Sequence, residues 1–248
     1  MIGSTIHRLA TCTSTNDVAR ELAQAGAEGG TVVIARAQTG GRGTKGRSWH
    51  SAPGKGLYLS VVHRPRRNDI ALLPATVGLA VVEAIGQAVG LEARLKWPND
   101  VVWGEKKIAG ILCESSFLGD RPSYVIVGIG VNVNHARADF PAEIRAKATS
   151  LRLALGKPVA MSGLERALLE SLERRLGQFE RGQRQAIVRA FESRLVFPVG
   201  AAIRVTGERE PVEGLFRGID TGARFIVECG GQRVRLSPAE ILDIEYSL

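Results

Sequence analysis

A glycine-rich, basic segment is the most distinctive chemical feature of the sequence. It reads AQTGGRGTKGRSWHSAPGKG, from Ala37 to Gly56, and places Arg42, Arg47 and Trp49 among small residues. An arginine suits a phosphate or a carboxylate because its planar guanidinium can bond two oxygens at once. A glycine-rich loop can stay mobile while a ligand enters and then close over it, which excludes water. The segment therefore predicts an anion-binding loop.

Two common phosphate-binding motifs do not fit this segment. A GxGxxG pattern begins at Gly41 after the strand-like run TVVIARA, but a dinucleotide-binding turn must open a helix. Pro53 and the glycines around it prevent a helix there. The Gly54–Lys55 pair is followed by glycine and not by Ser or Thr, so a Walker loop is excluded as well.

The charge of the chain is concentrated near this loop. The net charge is +8, from 33 basic and 25 acidic residues, and eight basic residues fall between Arg36 and Arg67 with no acidic one among them. A local positive region of this kind suits a small polyanion better than a long duplex. The three cysteines are far apart, which indicates no disulfide framework and favours the cytoplasm. No signal peptide or membrane span is expected.

Hydrophobic periodicity predicts a mixed α/β domain followed by a small β-barrel. Helices are expected over 14–26, 69–90, 163–179 and 184–193, and Ser14 and Asp17 have the spacing of a capping box. Strands are expected near residues 4–12, 31–37, 56–64, 93–97, 106–117 and 123–133, the last being the central one. Short strands with glycine turns follow Pro198. The fold class is α+β, with domains over 1–195 and 196–248.

Four motifs carry further candidate residues. They are STND at 14–17, KWPND at 96–100, KKIAGIL at 106–112 and GIGVNV at 128–133. A helix cap alone would explain Ser14, although a binding role is compatible with it, and Asn99 and Asp100 could equally bind a ligand or form a turn after Pro98. Asn132 is harder to explain, because an amide buried in a β-branched strand without a partner costs about 1–3 kcal/mol.

Taken together and in this order, the glycine-rich loop and these motifs resemble the biotin protein ligases. The resemblance is to the monofunctional type without an N-terminal DNA-binding domain, since Met1 lies only a few residues before the first strand. It implies a catalytic domain of the biotin/lipoate ligase type with an SH3-like C-terminal barrel. It also implies that biotin is activated with ATP to biotinyl-5′-AMP and passed to a lysine of a carrier domain. Mg²⁺ is the implied metal, and the implied partner is the biotin carboxyl carrier domain of acetyl-CoA carboxylase or a related carboxylase.

The resemblance also implies roles for individual residues. The implied catalytic residues are Lys107, Arg42 and Arg47. The implied biotin-binding residues are Ser14, Thr15, Gln38, Gly41, Arg42, Lys107 and Gly110. The implied ATP-binding residues are Arg42, Arg47, Trp49, Asn99, Asp100, Lys107 and Asn132. The implied metal ligands are Asp100 and Asn132.

Some alternatives remain open from the sequence. Many members of this family have a second arginine where this chain has Thr44, and Lys45 beside it is a candidate substitute. A lipoate or other acyl-acid ligase would share the fold and the adenylation step. A nucleic-acid-binding module is a candidate of another class, but the few aromatic residues of the barrel disfavour stacking on bases. We therefore expect no specific nucleic acid and no membrane as partners, and a homodimer is compatible with the sequence.

Overall fold

The structure is a computed structural model that describes residues 1–207 and 210–246. The helices are α1 (Thr15–Gln24), α2 (Leu73–Val89), α3 (Ala142–Arg145), α4 (Leu151–Leu155), α5 (Met161–Glu180) and α6 (Arg184–Glu192). The first strands are β1 (Ile6–Leu9), β2 (Val32–Ala35), β3 (Gly56–His63), β4 (Arg94–Lys96), β5 (Asp100–Trp103), β6 (Lys106–Leu118) and β7 (Arg121–Asn132). The remaining strands are β8 (Ala202–Gly207), β9 (Val212–Ile219), β10 (Phe225–Cys229), β11 (Gln232–Leu236) and β12 (Ile241–Tyr246).

The described strands β1 to β7 form a mixed sheet in the order β1-β2-β3-β7-β6-β5-β4. Strands β1 and β2 are parallel, and the other neighbours are antiparallel. The β-branched strand β7 occupies the centre, as the sequence predicts. Strand β5 was not predicted, because it is short and begins at the last residue of WPND. The mixed α/β fold itself is confirmed.

Successive side chains of β7 point to opposite faces of this sheet, and the two faces pack against different parts of the molecule. Ile129 and Val131 point to the face that packs against α2, with α5 behind it, and both side chains are buried. Gly128, Gly130 and Asn132 point to the opposite face. Helix α1 and the glycine-rich loop cover that face. The segment GIGVN thus contributes hydrophobic side chains to the core on one face of the sheet and leaves a flat glycine surface on the other.

Helix α1 begins beside the glycine-rich loop. The Ser14 hydroxyl oxygen accepts a hydrogen bond from the Asn16 amide at 3.3 Å, so Ser14 is the N-cap. The predicted capping box does not form. The Asp17 carboxylate instead accepts hydrogen bonds from Arg42 and Arg20, which are stronger because both partners are charged.

The C-terminal strands form a separate antiparallel sheet in the order β11-β10-β9-β8-β12. Its interior is built from aromatic rings, with the Phe216 and Phe225 centroids 4.4 Å apart and stacked. Phe197 meets the Phe216 ring edge-on at 5.3 Å. Strand β12 was not among the predicted strands. It pairs with β8 through an irregular register, which weakens the alternating pattern in its sequence.

The basic residues between Arg36 and Arg67 do not form one local region, and that expectation was wrong. Strand β3 carries the chain from the glycine-rich loop to the other end of α1. There the Arg64 guanidinium donates to the carbonyls of Ala23 and Ala27, at 2.8 and 3.0 Å. Arg42 lies at the beginning of α1, and a helix of this length spans about 15 Å. The positive charge is therefore divided between two ends of the domain.

Candidate active site

Glycines on adjacent strands form the floor of the site. Gly110 of β6 pairs with Gly130 of β7, and Gly128 lies on the same face. A Cβ atom at Gly130 would lie 2.5 Å from Nε1 of Trp49, and one at Gly110 would lie 3.0 Å from the same ring. A Cβ at Gly128 would overlap Oδ1 of Asn16. The floor is flat because side chains from the loop and from α1 must lie directly on it.

The glycine-rich loop is folded onto this floor. The Trp49 amide donates to the Gly41 carbonyl at 2.8 Å, and the Gly43 amide donates to the Arg47 carbonyl at 2.6 Å. A 3-10 turn over Thr44–Gly46 forms the tip. The sequence suggests a loop without packing of its own, but the indole of Trp49 supplies that packing against the glycine floor.

Arg42 reaches from this loop to two carboxylates. Its guanidinium makes two hydrogen bonds of 2.7 Å to Asp17 and approaches Glu114 at 3.2 Å. Arg20 pairs with the same two carboxylates, at 2.7 and 2.9 Å. The Arg42 bonds lower the pKa of Asp17 despite its partial burial, and Asp17 in turn raises the pKa of Arg42. Arg42 is therefore permanently charged and held above the site before any anion arrives.

Thr15 and Gln38 form a neutral polar pocket beside Arg42. The Gln38 Oε1 atom accepts from the Thr15 amide at 2.8 Å, and Gln38 Nε2 donates to the Ser51 hydroxyl at 2.8 Å. Ser14 and Thr15 are both buried. Gly41 lies against this pocket, because a Cβ there would be 3.1 Å from Gln38 Nε2. The structure thus brings together Ser14, Thr15, Gln38 and Gly41, as the resemblance implies.

Asn16, Ser60 and Glu114 form a chain of hydrogen bonds beside this neutral pocket, and the sequence analysis missed them. The Ser60 hydroxyl donates to Asn16 Oδ1 at 2.6 Å, and Asn16 Nδ2 donates to Glu114 at 2.6 Å. Ser60 has one hydroxyl proton, so in this arrangement it accepts at its 2.8 Å contact with Thr15. Asn16 lies inside the STND motif and was the one residue of this set that the sequence could have indicated.

Lys107 lies at the opposite side of the floor. Its Nζ atom is 2.6 Å from Oδ1 of Asp100 and 5.5 Å from the centroid of the Trp49 ring. Its backbone is fixed by the 147–149 segment, since its amide donates to the Lys147 carbonyl at 2.8 Å and its carbonyl accepts from the Thr149 amide at 2.9 Å. A Cβ at Gly110 would lie 3.1–3.2 Å from the end of the Lys107 side chain. Lys107, Asp100, Gly110 and Trp49 are therefore neighbours.

The remaining predicted residues take different positions. The Asn99 side chain donates to the Ile111 carbonyl at 2.8 Å and so braces the start of β5 against β6. Arg47 is exposed, and its guanidinium contacts Thr44 at 3.4 Å. Asn132 is buried at the end of β7, on the same face as Gly130. Among the residues that the structure describes, no group of three or more His, Cys, Asp or Glu side chains is arranged to hold a metal ion.

A buried imidazole lies next to the loop and was not anticipated from the sequence. His135 is fully buried, and its ring stacks on Phe140 with the centroids 4.9 Å apart. Its Nε2 atom is 3.3 Å from the Tyr58 hydroxyl, and His50 lies 6.1 Å away, centroid to centroid. Burial, aided by the nearby His50, lowers the pKa of His135 to about 4. His135 is therefore neutral at physiological pH.

This geometry places cations on two sides of one flat surface, an arrangement that suits an anionic ligand. Arg42 stands on one side of the glycine floor and Lys107 on the other, with the indole of Trp49 between them. The Nε1–H of Trp49 is buried and has no hydrogen-bond partner among the described residues. A buried donor without a partner is unusual in a folded protein, so this N–H is a hydrogen bond of the site that the described residues leave unmade.

Comparison with known proteins identifies the family. The family model described as "Biotin/lipoate A/B protein ligase family" matches residues 9–132, and this chain belongs to that family. The biotin--[acetyl-CoA-carboxylase] ligase of Paracoccus denitrificans is 34% identical over 250 residues, which cover 94% of this chain and 98% of the relative. The biotin protein ligase from Aquifex aeolicus in complex with biotin and ATP has the same fold, with a TM-score of 0.85 and 28% identity over 98% of this chain and 100% of the other.

Other relatives are longer than the chain. The bifunctional ligase/repressor BirA of Bacillus subtilis is 42% identical over 167 residues, or 65% of this chain and 50% of the relative. The chain thus spans about half the length of the Bacillus relatives that it matches. No helix in the described part of the chain is long and apolar enough to cross a membrane.

Proposed function

We propose that the protein is an ATP-dependent biotin–protein ligase. It activates biotin as biotinyl-5′-AMP and transfers the biotinyl group to a lysine of a carrier domain. The observation that carries this proposal is that Arg42, Lys107 and Trp49 surround one glycine floor. The names of the relatives that match most of the chain support biotin as the acid.

The neutral pocket of Ser14, Thr15, Gln38 and Gly41 would bind the ureido ring of biotin. This ring carries a carbonyl oxygen and two N–H groups and no charge, so it requires amide and hydroxyl partners. The pocket offers these groups in a buried setting, where an unmet hydrogen bond costs about 1–3 kcal/mol. The same cost would discriminate against an acid that lacks the ureido group.

The carboxylate of biotin would then extend across Gly110 towards the two cations. In the activation step, a carboxylate oxygen attacks the α-phosphorus of ATP, the bond to the β-phosphate oxygen breaks, and pyrophosphate leaves. Negative charge grows on the phosphate oxygens, where Arg42, Arg47 and Lys107 would stabilise it. Asp17 and Glu114 hold Arg42 ready, but both compete with the incoming anion for its guanidinium.

The nucleotide would lie along the indole of Trp49, with Asn99, Asp100 and Asn132 at the strand ends beside it. Asp100 is the one carboxylate among these side chains, so the protein would supply only part of the coordination of Mg²⁺. Such a set matches the usual magnesium site, in which substrate phosphates supply much of the coordination. Asp100 and Asn132 would hold the ion, and Mg²⁺ would neutralise the leaving pyrophosphate.

Transfer to the partner needs no covalent bond to the enzyme. The neutral amine of the acceptor lysine attacks the carbonyl carbon of the mixed anhydride, AMP leaves, and an amide forms. The partner we propose is the biotin carboxyl carrier domain of acetyl-CoA carboxylase or a related carboxylase.

We also propose a cytoplasmic location, a domain boundary near residue 195 and the absence of specific nucleic-acid binding. A homodimer is compatible with these proposals.

The charges of the C-terminal sheet argue against a nucleic-acid-binding function. Arg217 pairs with Glu228 at 3.0 Å, and Arg224 pairs with Asp220 at 2.8 Å. These arginines have carboxylate partners that phosphates would have to displace. A basic surface that binds nucleic acid requires unpaired cations.

Incorporation of biotin into a purified biotin carboxyl carrier domain tests the proposal. The reaction contains the protein, biotin, ATP and Mg²⁺, and intact mass spectrometry measures the product. One added biotinyl group is expected on the acceptor domain and none on a variant whose acceptor lysine is replaced by arginine. An unmodified acceptor domain under these conditions would refute the proposed transfer.

A further inference from the structure

Lys45, at the tip of the glycine-rich loop, points away from the glycine floor. Its ammonium group donates a hydrogen bond to the carbonyl of Ile241, at the beginning of β12 in the C-terminal sheet. The sequence suggests instead that Lys45 replaces an arginine at the phosphates. The structure assigns this lysine to a contact with the C-terminal domain.

The backbone of Lys45 supports the importance of this contact. Its φ and ψ are 58° and 39°, in the left-handed region that residues with a side chain seldom adopt. Of the described residues other than glycine, Ala223 is the only other one with a positive φ. Such a conformation persists when the surrounding structure stabilises it. The hydrogen bond to Ile241 ties the end of this side chain, and with it the tip of the loop, to the C-terminal sheet.

A second charged contact joins β12 to the KWPND segment. Nζ of Lys96 is 3.0 Å from Oδ1 of Asp243. Burial opposes the ionisation of Asp243, but the Lys96 ammonium and the Ile244 amide outweigh it and lower the pKa of Asp243. Lys147 also acts on Asp243 through its charge, and its carbonyl accepts from the Lys107 amide. Strand β12 thus contacts segments on both sides of the glycine floor.

An aromatic contact makes this junction rigid. Trp97, the residue after Lys96, is 4% exposed, and its ring lies 5.8 Å from the ring of Phe225 in the C-terminal sheet. Phe225 also belongs to the aromatic interior of that sheet. The position of β12 relative to the catalytic sheet is therefore fixed by packing as well as by charge.

We propose that strand β12 holds the glycine-rich loop over the site, with Lys45 and Asp243 as positioning residues. Lys45 fixes the loop tip between Arg42 and Arg47, and Asp243 fixes β12 against the segment that leads to Asp100. The C-terminal domain then controls how firmly the two arginines face the phosphates. The part of this inference that concerns the phosphates rests on the proposed adenylation activity.

The test compares Lys45→Met, Lys45→Arg and Asp243→Asn with the unchanged protein. Methionine keeps the length of the side chain but cannot donate, whereas arginine can. Lys157→Met is the matched control, because Lys157 is exposed and lies outside the loop and β12. Hydrogen–deuterium exchange of residues 43–47 is measured without substrates. Exchange is expected to rise about tenfold in Lys45→Met, the effect of losing one hydrogen bond from a charged group, and less in Asp243→Asn. Lys45→Arg is expected to restore slow exchange.

Steady-state kinetics of adenylation then separates positioning from general stability. We expect Lys45→Met to raise the KM for ATP about tenfold with a smaller change in kcat, since the loosened arginines bind phosphates less well. A loss of folded protein would lower kcat alone. Unchanged exchange in Lys45→Met, or faster exchange with an unchanged KM for ATP, would overturn the proposal. If the wild-type protein does not adenylate biotin, the proposed function fails, and the exchange data still decide whether β12 holds the loop.

Discussion

The ion pair of Lys107 and Asp100 places a cation of the proposed site at the beginning of β6. Lys107 is fixed by two backbone hydrogen bonds to the 147–149 segment, so its side chain starts from a well-defined position. Asp100 holds the ammonium at 2.6 Å and would release it to a phosphate or a carboxylate as the substrates bind. A preorganised cation of this kind stabilises charge that develops in the transition state.

We predict that Lys107→Ala lowers the rate of adenylation by about a hundredfold or more, the usual effect of losing one preorganised donor to a developing charge. The fold is expected to remain intact, since the substitution leaves the backbone hydrogen bonds of β6 in place. Single-turnover formation of biotinyl-5′-AMP measures the rate, and thermal melting checks the fold. Lys106→Ala is the neighbouring control. Wild-type turnover in a Lys107→Ala protein that melts normally would remove Lys107 from the site.

At the scale of elements, the flat glycine floor is what allows the loop to pack on β6 and β7. Gly130→Ala introduces a Cβ 2.5 Å from Nε1 of Trp49, so the indole has to move. We expect a loss of stability of about 1–3 kcal/mol, typical of overpacking, together with a raised KM for ATP. Denaturant unfolding and steady-state kinetics measure the two effects.

Gly163→Ala is the control for that substitution. Gly163 lies in α5, and a Cβ there would meet no atom within 4 Å. Alanine in a helix is expected to stabilise the protein by about 0.5–1 kcal/mol relative to glycine. A Gly130→Ala protein that is as stable as wild type and binds ATP normally would show that Trp49 does not rest on this floor.

Much of this site could be predicted because its residues lie in short, ordered motifs. Arg42, Trp49, Gln38 and Lys107 are distinctive in type and context, and the structure brings them to one face. Ser60 and Glu114 could not be found in this way. Their roles depend on which strands become neighbours, and the pairing of β3, β7 and β6 is not visible in local sequence.

The sequence also did not indicate which way the Lys45 side chain points. The sequence indicates that Lys45 binds phosphates, because the residues around it are basic. Its ammonium group instead contacts Ile241 at the beginning of β12, a strand that was itself not predicted. Likewise, Asp17 has the spacing of a capping box but pairs with Arg42, a residue that becomes its neighbour only when the loop folds back.

At the scale of the whole molecule, the buried His135 should make stability depend on pH. The pKa of His135 falls from an ordinary 6.5 to about 4 in the folded protein, chiefly through burial. Between these values the unfolded chain takes up a proton that the folded protein does not, so stability decreases as the pH falls from 6.5 to about 4. The expected loss from this residue is on the order of 3 kcal/mol.

Denaturant unfolding of wild type and His135→Gln across this pH range measures the effect. The variant should show a shallower loss of stability towards acid, because glutamine is polar but does not titrate. His63 is also buried and its pKa is lowered by burial, so part of the slope should remain. Equal slopes in wild type and His135→Gln would contradict a buried, neutral His135.

The identity of the acid is tested most directly by ATP–pyrophosphate exchange. The protein is incubated with ATP, Mg²⁺ and labelled pyrophosphate, and biotin, lipoate or octanoate is supplied separately as the acid. We predict exchange into ATP that depends on biotin and is near background with lipoate and octanoate, because Ser14, Thr15 and Gln38 are the residues that we propose to bind the ureido ring. Exchange that responds to lipoate or octanoate and not to biotin would contradict the assignment of a biotin–protein ligase.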